Sequence, residues 1–167
     1  MSAKSICTRS DQANVSRQTY VALGSNKGER TEYLNEAITH VQDLGVKELV
    51  ASSFMETAPV DMQDDSGPFL NAAIAFKCEW SPGELLKSLQ RIEIEMGRPR
   101  EHQYHVARVV DLDLIAVGDL VLSEVDLVLP HPRAHERDFV LAPLAEIAPD
   151  LILPGQTLTV SRLLSAL

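Results

Sequence analysis

The chain has few cysteines and no long apolar run, and each absence excludes a class of protein. Two cysteines, Cys7 and Cys78, occur in 167 residues. One lies in a polar leader and the other in a strand-like run, which favours a reduced compartment over a disulfide-rich secreted fold. No apolar run approaches the roughly 20 residues that a spanning helix needs, and the N-terminus lacks the apolar stretch of a signal peptide. We therefore expect a cytoplasmic protein without membrane contact.

Positive charge is also scarce. Fifteen Lys and Arg residues stand against 24 Asp and Glu, for a formal net charge of −9. The first eighteen residues carry +2, from three basic side chains against one acidic, so residues 19–167 carry −11. Because affinity for the phosphate backbone comes mainly from Lys and Arg, we expect no nucleic-acid partner. An anion that binds here needs a local basic cluster.

Several common catalytic motifs are missing as well. There is no G-x-x-x-x-G-K-[ST] phosphate loop, and "LGSN" followed by Gly28 is too weak to be a dinucleotide fingerprint. Neither a partnered catalytic serine or cysteine nor a Cys/His zinc spacing is present.

The apolar pattern predicts alternating strands and helices. In chain order it gives a strand at 19–25, a helix at 30–44, strands at 45–57 and 69–80, a helix from Ser81 to Gly97, a strand at 109–118, a hairpin at 119–130 and a short helix within 133–149, broken near Pro143. This β-α-β-β-α-β order predicts an α+β ferredoxin-like sandwich, an antiparallel sheet with two helices on one face, plus a C-terminal hairpin and helix elaboration. We expect a flexible leader at residues 1–18 and one domain at 19–167.

The segment "VVDLDL" (109–114) places two carboxylates in a strand-like run. Residues two apart in a strand share a face and lie roughly 6.6 Å apart, so Asp111 and Asp113 project together while Val110, Leu112 and Leu114 face the core. Two bare carboxylates at that distance repel by about 2.5 kcal/mol at an effective dielectric near 20. A Mg²⁺ ion that takes its other ligands from substrate phosphates would compensate. The alternative is the charged outer face of an edge strand, which prevents aggregation.

Basic residues surround this segment. They are Arg98, Arg100 and Arg108 upstream, and His131 and Arg137 downstream in "PHPRAHERDF". Arginine suits polyphosphate because its planar fork donates hydrogen bonds in parallel. Taken singly, each arginine is more often part of a surface salt bridge, His131 is equally a turn residue, and Glu93 belongs by default to the solvated face of its helix.

Taken together, six segments resemble the 6-hydroxymethyl-7,8-dihydropterin pyrophosphokinase family over roughly residues 19–160. They are "YVALGSNKGER", "SSFMETAPV", "GPFLNAAIAF", "QRIEIEMGRPR", "ARVVDLDLIAVGD" and "LVLPHPRAHERDFVLAPLAEIAPDL". The resemblance implies that ATP donates its β,γ-pyrophosphoryl unit to the hydroxymethyl oxygen of the dihydropterin, with release of AMP in folate biosynthesis. It implies two small-molecule substrates, and we expect a monomer.

The resemblance also implies roles for individual residues. Asp111 and Asp113 match the ligands of two Mg²⁺ ions, and with Arg98 and Arg108 they form the catalytic set. The ATP-binding set is Gln90, Glu93, Arg98, Arg100, Arg108, His131 and Arg137. The pterin set is Phe69 and Phe139, which sandwich the ring, Asn71, which reads its polar edge, and Thr57 and Val60, which offer backbone contacts. Core packing is the alternative for the two phenylalanines.

One segment departs from the family pattern. Where the family carries Arg-Trp-Gly-Pro, this chain has Tyr104, His105, Val106 and Ala107, and Ala58 and Asp61 replace common Pro and Gly. We therefore predict ordinary pterin affinity with weaker ATP binding or slower turnover. A non-catalytic or weakly active pterin- or nucleotide-binding paralogue is the alternative function. An RNA-binding module shares the strand order, but "VALGS" and "NAAIAF" offer neither exposed aromatics nor a basic sheet face.

Overall fold

The computed structural model describes residues 15–58, 67–97 and 109–167. Cys7, Val60, Asp61, Arg98, Arg100, the 104–107 segment and Arg108 lie outside the described residues. The elements are β1 (Arg17–Ser25), α1 (Arg30–Asp43), β2 (Lys47–Ala51), β3 (Met55–Thr57), β4 (Phe69–Cys78), α2 (Pro82–Glu95), β5 (Asp111–Val117), β6 (Leu122–Ser123), β7 (Val128–Leu129), a 3₁₀ turn (Ala134–Glu136), α3 (Asp138–Ile147) and α4 (Val160–Ser165). In these ranges no helix combines the length and apolar character needed to span a bilayer.

The main sheet is antiparallel, with the strand order β2-β4-β1-β5. The short strand β3 also pairs with β4, at the beginning of that strand. This order, with α1 and α2 as crossovers, confirms the predicted ferredoxin-like α+β class. Strands β6 and β7 form the predicted hairpin as a separate two-stranded sheet. The edge position of β5 matters below, because none of the described strands pairs with the other side of its backbone.

Helices α1 and α2 cover one face of the sheet, as predicted. Their buried residues recur with helical spacing, and alternate residues of β4 meet them. This first core includes Leu34, Ala37 and Val41 of α1, Leu85, Leu89 and Ile92 of α2, and Ala72, Ile74 and Phe76 of β4. Side chains of even-numbered β4 residues therefore face α1 and α2, which leaves the odd-numbered residues for the other face.

The start of α2 follows the pattern in its sequence. Ser81 Oγ accepts from the Glu84 backbone N–H at 3.3 Å, and Glu84 Oε2 accepts from the Ser81 N–H at 3.2 Å. These reciprocal bonds form a capping box, with Pro82 at the first helical position. Gly97 follows the helix with a φ of +104°, which a residue with a side chain rarely adopts.

Helix α3 packs on part of the second face of the sheet, and α4 packs against α3. This second core joins small residues of the central strands, Ala22 and Ala73, to Val140, Leu141 and Leu144 of α3. The predicted break near Pro143 is wrong, because α3 continues through it to Ile147. Proline in the second turn removes only one backbone hydrogen bond, and its buried ring favours a continuous helix.

The single strand predicted at 45–57 is also wrong, because it is divided into β2 and β3. At the division between β2 and β3 the side chain of Ser52 takes the place of one backbone acceptor in the pairing with β4. Its N–H donates to the Ala73 carbonyl at 2.9 Å, and its Oγ accepts from the Ala73 N–H at 2.9 Å. Next to it, Glu146 of α3 accepts from the Ser53 N–H at 2.9 Å and from the Ser53 hydroxyl at 2.6 Å. This link fastens the β2–β3 connection to α3.

We expect Glu146→Gln to lower the free energy of unfolding at pH 7. The two hydrogen bonds from Ser53 hold the pKa of Glu146 below its ordinary value, so the folded state binds its proton less readily than the unfolded chain. The stabilisation is therefore complete above the ordinary carboxyl pKa and disappears as pH falls through the lowered one. Urea unfolding of the parent protein and of Glu146→Gln across this pH range should show that the difference between their free energies of unfolding becomes smaller at low pH. A difference that stays constant with pH would contradict the explanation. The difference between the parent protein and Ser53→Ala should likewise become smaller at low pH.

Candidate functional site

Strand β5 presents Asp111 and Asp113 on the face of the sheet opposite α1 and α2. Both aspartates are half-buried. Leu112, which lies between them, and Leu114, which follows them, belong to the first core. The alternation predicted from "VVDLDL" is therefore present. Asp113 pairs in register with Ala22 of β1, a member of the second core. The carboxylates thus share the sheet face that carries α3, at the end where β5 begins.

Gly24 separates the aspartates from the polar residues of β4. It pairs in register with Asp111 on one side and with Asn71 on the other. A Cβ added to Gly24 would lie 3.2 Å from Asn71 Oδ1 and 3.7 Å from Phe69 Cδ1. Because Gly24 has no side chain, a shallow depression lies between the Asp111 carboxylate and the Asn71 amide. We call it the Gly24 cradle, and only glycine fits there without displacing a neighbour.

Asn71 is held by a side-chain hydrogen bond. It is buried, and its Nδ2 donates to Thr57 Oγ1 at 2.6 Å. Thr57 pairs in register with Phe69 across β3 and β4. The bond to Thr57 directs the amide nitrogen away from Gly24 and leaves Oδ1 beside it. The structure therefore brings together three of the residues assigned to pterin: Thr57, Phe69 and Asn71.

Arg30, at the start of α1, contacts both β3 and the segment before β4, a role that was not predicted from the sequence. Its Nη1 donates to the Pro68 carbonyl, and its Nη2 lies 3.0 Å from Glu56 Oε2. Pro68 and Glu56 immediately precede Phe69 and Thr57, which pair with each other. One guanidinium therefore holds both strands at the position where the candidate ring-binding residues begin. Its partners lie 26 and 38 residues away in the sequence, so no local motif could reveal it.

The turn before α3 supplies His131, Arg133 and Arg137. The His131 N–H donates to the Ile115 carbonyl of β5 at 2.8 Å, and His131 Nδ1 accepts from the Arg133 N–H at 3.2 Å. Burial, followed by the positive charges of Arg137 and Arg133, lowers the pKa of His131, although Asp111 acts in the opposite direction. His131 is therefore both a turn residue and a neighbour of Asp111, and its neutral ring offers Nε2–H as a donor.

Phe139, in the first turn of α3, is partly buried against the second core. Arg137 Cζ lies 5.5 Å from the centroid of its ring, a cation–π distance. Phe69 and Phe139 thus belong to the same side of the sheet, as a ring sandwich requires. Arg133 was not predicted as a site residue, although it lies within the basic "PHPRAHERDF" segment that the sequence indicated.

Glu93 is not on the solvated face of α2, so that default assignment is wrong. It is only 3% exposed, and its Oε1 accepts from the Leu112 backbone N–H at 2.7 Å. Leu112 lies between the two aspartates on the edge strand, and Glu93 accepts from a backbone donor that none of the described strands pairs with. Gln90, one turn earlier, is exposed.

The three predicted arginines outside the described residues are joined to this region by the chain itself. Arg98 directly follows Gly97, and Arg108 directly precedes Val109. A Cβ added to Gly97 would lie 3.7 Å from Val109 Cγ2, so the chain leaves α2 and enters β5 at neighbouring points. The roles of Arg98, Arg100 and Arg108 stay predictions, as do that of Val60 and the effect of the 104–107 segment.

The carboxylate oxygens at this site suit a hard cation that takes only some of its ligands from the protein and the others from water and substrate. Within the described ranges no group of three or more His, Cys, Asp and Glu side chains could enclose a metal. Asp111 and Asp113 offer carboxylate oxygens on one strand face, and Mg²⁺ is typically held by one or two carboxylates together with water and substrate phosphates. The residues therefore fit Mg²⁺ better than a metal that needs a complete protein cage.

Comparison with known proteins assigns the chain to a family. The family model described as 7,8-dihydro-6-hydroxymethylpterin-pyrophosphokinase matches residues 20–149. The chain belongs to this family. It is 44% identical over 129 residues to the 2-amino-4-hydroxy-6-hydroxymethyldihydropteridine pyrophosphokinase of Bacillus subtilis, covering 77% of this chain and 76% of that protein. It is 41% identical over 140 residues to the protein of the same name from Methylorubrum extorquens, covering 84% and 88%.

A solved structure supports the fold independently. The Plasmodium falciparum HPPK-DHPS wild type with pteroate superposes with a TM-score of 0.73 at 13% sequence identity. The superposition covers 92% of this chain and 42% of that longer one. At this identity the likeness concerns architecture alone. Within the matched residues of the pyrophosphokinase family lie the aspartate pair, the Gly24 cradle and the turn that carries His131.

Proposed function

We propose that this chain transfers the β,γ-diphosphoryl group of ATP to the hydroxymethyl group of 6-hydroxymethyl-7,8-dihydropterin. The hydroxymethyl oxygen bonds to the β-phosphorus, the bond from that phosphorus to the α,β-bridging oxygen breaks, AMP leaves, and the hydroxyl proton passes to solvent. The observation that supports the proposal is the row Asp111, Gly24, Asn71, in which a carboxylate suited to a cation and an amide suited to the edge of a ring lie on either side of a glycine. We place the reaction in the cytoplasm, in a monomer.

In this proposal the pterin lies over the Gly24 cradle. Phe69 and Phe139 cover its two faces, Asn71 Oδ1 accepts from the donor edge of the ring, and Thr57 and Val60 add backbone contacts. A flat heteroaromatic ring needs two π faces and a few fixed polar partners. The bond between Asn71 and Thr57 supports this assignment because it orients the amide before substrate arrives.

The triphosphate lies over Asp111 and Asp113, which hold two Mg²⁺ ions. When bound, Mg²⁺ supplies charge neutralisation and polarises the phosphoryl group under attack. His131 donates one hydrogen bond from its neutral ring, and Arg98, Arg100, Arg108 and Arg137 supply positive charge. Gln90 and Glu93 complete the nucleotide side. Glu93 holds the Leu112 backbone there, between the two carboxylates.

An assay for AMP release with the dihydropterin, ATP and Mg²⁺ tests the function directly. We expect AMP and the pyrophosphorylated pterin in equal amounts, activity lost with a chelator, and activity restored by added Mg²⁺. Pterin binding by calorimetry without any AMP release would instead support the non-catalytic paralogue. The altered residues Tyr104 to Ala107 bear on the rate, so a low turnover number with ordinary pterin affinity agrees with the proposal.

Arg30→Ala should weaken pterin binding more than it lowers kcat. Loss of the Pro68 bond frees the start of β4 beside Phe69, and one hydrogen bond of this kind contributes about 1 kcal/mol, or about fivefold in affinity. Calorimetric Kd values for the pterin and separate KM values for both substrates would measure the effect. Glu56→Gln, the matched control, removes only the exposed ion pair and should change affinity less. Equal loss of ATP and pterin affinity would contradict this placement.

A further inference from the structure

A second concave region lies at the opposite end of β4 from the candidate active site. Its volume is about 710 Å³, within the range of small-molecule sites. Lys77 and Cys78 at the end of β4 border it, whereas Phe69 and Asn71 are at the beginning of that strand. Six to nine positions along the strand separate the two regions, a distance of roughly 20 to 30 Å. This cavity therefore cannot belong to the cradle over Gly24.

One face of α2 forms a wall of this cavity. Glu84, Lys87, Ser88 and Arg91 all border it, and their spacing of three and four residues places them on one side of the helix. Ser88 is only 8% exposed. In the described part of the chain no residue exchanges a hydrogen bond with its hydroxyl, not even the backbone carbonyl one turn earlier. A hydroxyl that borders a cavity in this way is available to a ligand.

The cavity is locally basic although the protein is acidic. Four cationic side chains, Lys47, Lys77, Lys87 and Arg91, and two carboxylates line it, in a chain whose formal net charge is −9. The first two cations are engaged, Lys47 with Glu79 at 3.4 Å and Lys77 with Glu48 at 2.9 Å. Lys87 and Arg91 have no carboxylate at ion-pair distance among the described residues. A concave basic site in an acidic body concentrates anions.

An aromatic ring stands at the same cavity. Trp80, the single tryptophan of the chain, borders it with 38% of its surface exposed. The Trp80 backbone N–H donates to Cys78 Sγ at 3.4 Å, which ties the residue to the end of β4. An exposed indole beside Lys87 and Arg91 suits a ligand in which a flat ring is joined to a charged group.

We propose that this cavity is a second binding site, for a small molecule that joins a planar ring to a phosphate group. Lys87, Arg91 and the Ser88 hydroxyl bind the phosphate, because charged donors and a hydroxyl converge there from one helix face. Trp80 stacks on the ring. A nucleoside monophosphate has this chemistry. The inference does not rest on the proposed catalytic function, because binding here requires neither the aspartate pair nor the pterin.

The fluorescence of Trp80 reports on this site alone, since the chain has no other tryptophan. Titration of the full chain with AMP should quench the emission along a saturable curve, and inorganic phosphate should compete. Lys87→Gln with Arg91→Gln should weaken the response at least about tenfold, as expected when charge-assisted hydrogen bonds to an anion are lost. The matched control Arg162→Gln, which removes one charge on α4, should bind AMP like the parent chain.

Two further variants make the result decisive. Asp111→Asn should leave the quenching curve unchanged, because that residue belongs to the other end of the sheet. Ser88→Ala should weaken binding with no loss of thermal stability, since the hydroxyl has no partner to lose among the described residues. The proposal is overturned by no saturable quenching at millimolar AMP, by equal affinity in the Lys87 and Arg91 double variant, or by loss of the response in Asp111→Asn.

Discussion

Asp111→Asn and Asp113→Asn are each expected to lower kcat by on the order of 10³-fold. A metal-held phosphoryl group gains several kcal/mol of transition-state stabilisation, and about 4 kcal/mol corresponds to that factor. The amide keeps the shape of the side chain but loses the charge that binds Mg²⁺. In the proposed site both carboxylates hold the metal, so loss of either one removes the same interaction. We therefore expect the double variant to be little worse than either single one.

Three measurements separate this effect from unfolding and from pterin binding. Thermal unfolding should change by only a few degrees, since both aspartates lie outside the two cores. Calorimetry should show pterin binding retained and Mg²⁺-dependent binding of a nucleotide analogue weakened. Asp119→Asn, in the exposed turn at the far end of β5, is the matched control and should keep parental activity. Activity within tenfold of the parent in Asp111→Asn would remove the basis of the proposed function.

The parts of this fold that can be predicted from the sequence are those that depend on interactions between residues close together in the chain. Ser81, Pro82 and Glu84 specify the start of α2 because a capping box uses bonds within four residues. The period-two pattern of β5 places Asp111 and Asp113 on one face because a strand must alternate. The resemblance then connects these local features to residues of other elements, such as Asn71 and His131.

What the sequence left open depends on contacts between distant elements. Glu93 follows Ile92 at the border of the apolar stripe of α2, where a glutamate usually faces water. Its burial is decided by Leu112 on the edge strand, whose N–H needs an acceptor. Likewise Arg30 has a role only because β3 and β4 bring Glu56 and Pro68 within its reach. The continuation of α3 through Pro143 depends on packing against the second core, which helix propensity does not describe.

Glu93→Leu is expected to destabilise the fold by about 1–3 kcal/mol and to reduce activity together with it. The substitution leaves the Leu112 N–H buried without its acceptor, and an unsatisfied buried donor carries a cost of that size. Among the strands that the structure describes β5 lies at the edge of the sheet, so none of them can replace the lost bond. Glu93→Gln keeps an acceptor oxygen of nearly the same shape and should cost less. Urea unfolding at pH 7 measures both effects.

Hydrogen exchange at Leu112 decides whether this bond is the cause. In the parent protein we expect its amide to exchange slowly, and in Glu93→Leu we expect it to exchange faster than those of Leu114 and its neighbours. Because Leu112 lies between Asp111 and Asp113, local opening of β5 also changes the distance between the two carboxylates. The KM for ATP should therefore rise at temperatures well below unfolding, while pterin affinity stays close to parental. Glu95→Leu, an exposed position on the same helix, is the matched control. Unchanged Leu112 exchange alongside a loss of activity would mean that Glu93 acts on the nucleotide directly rather than through β5.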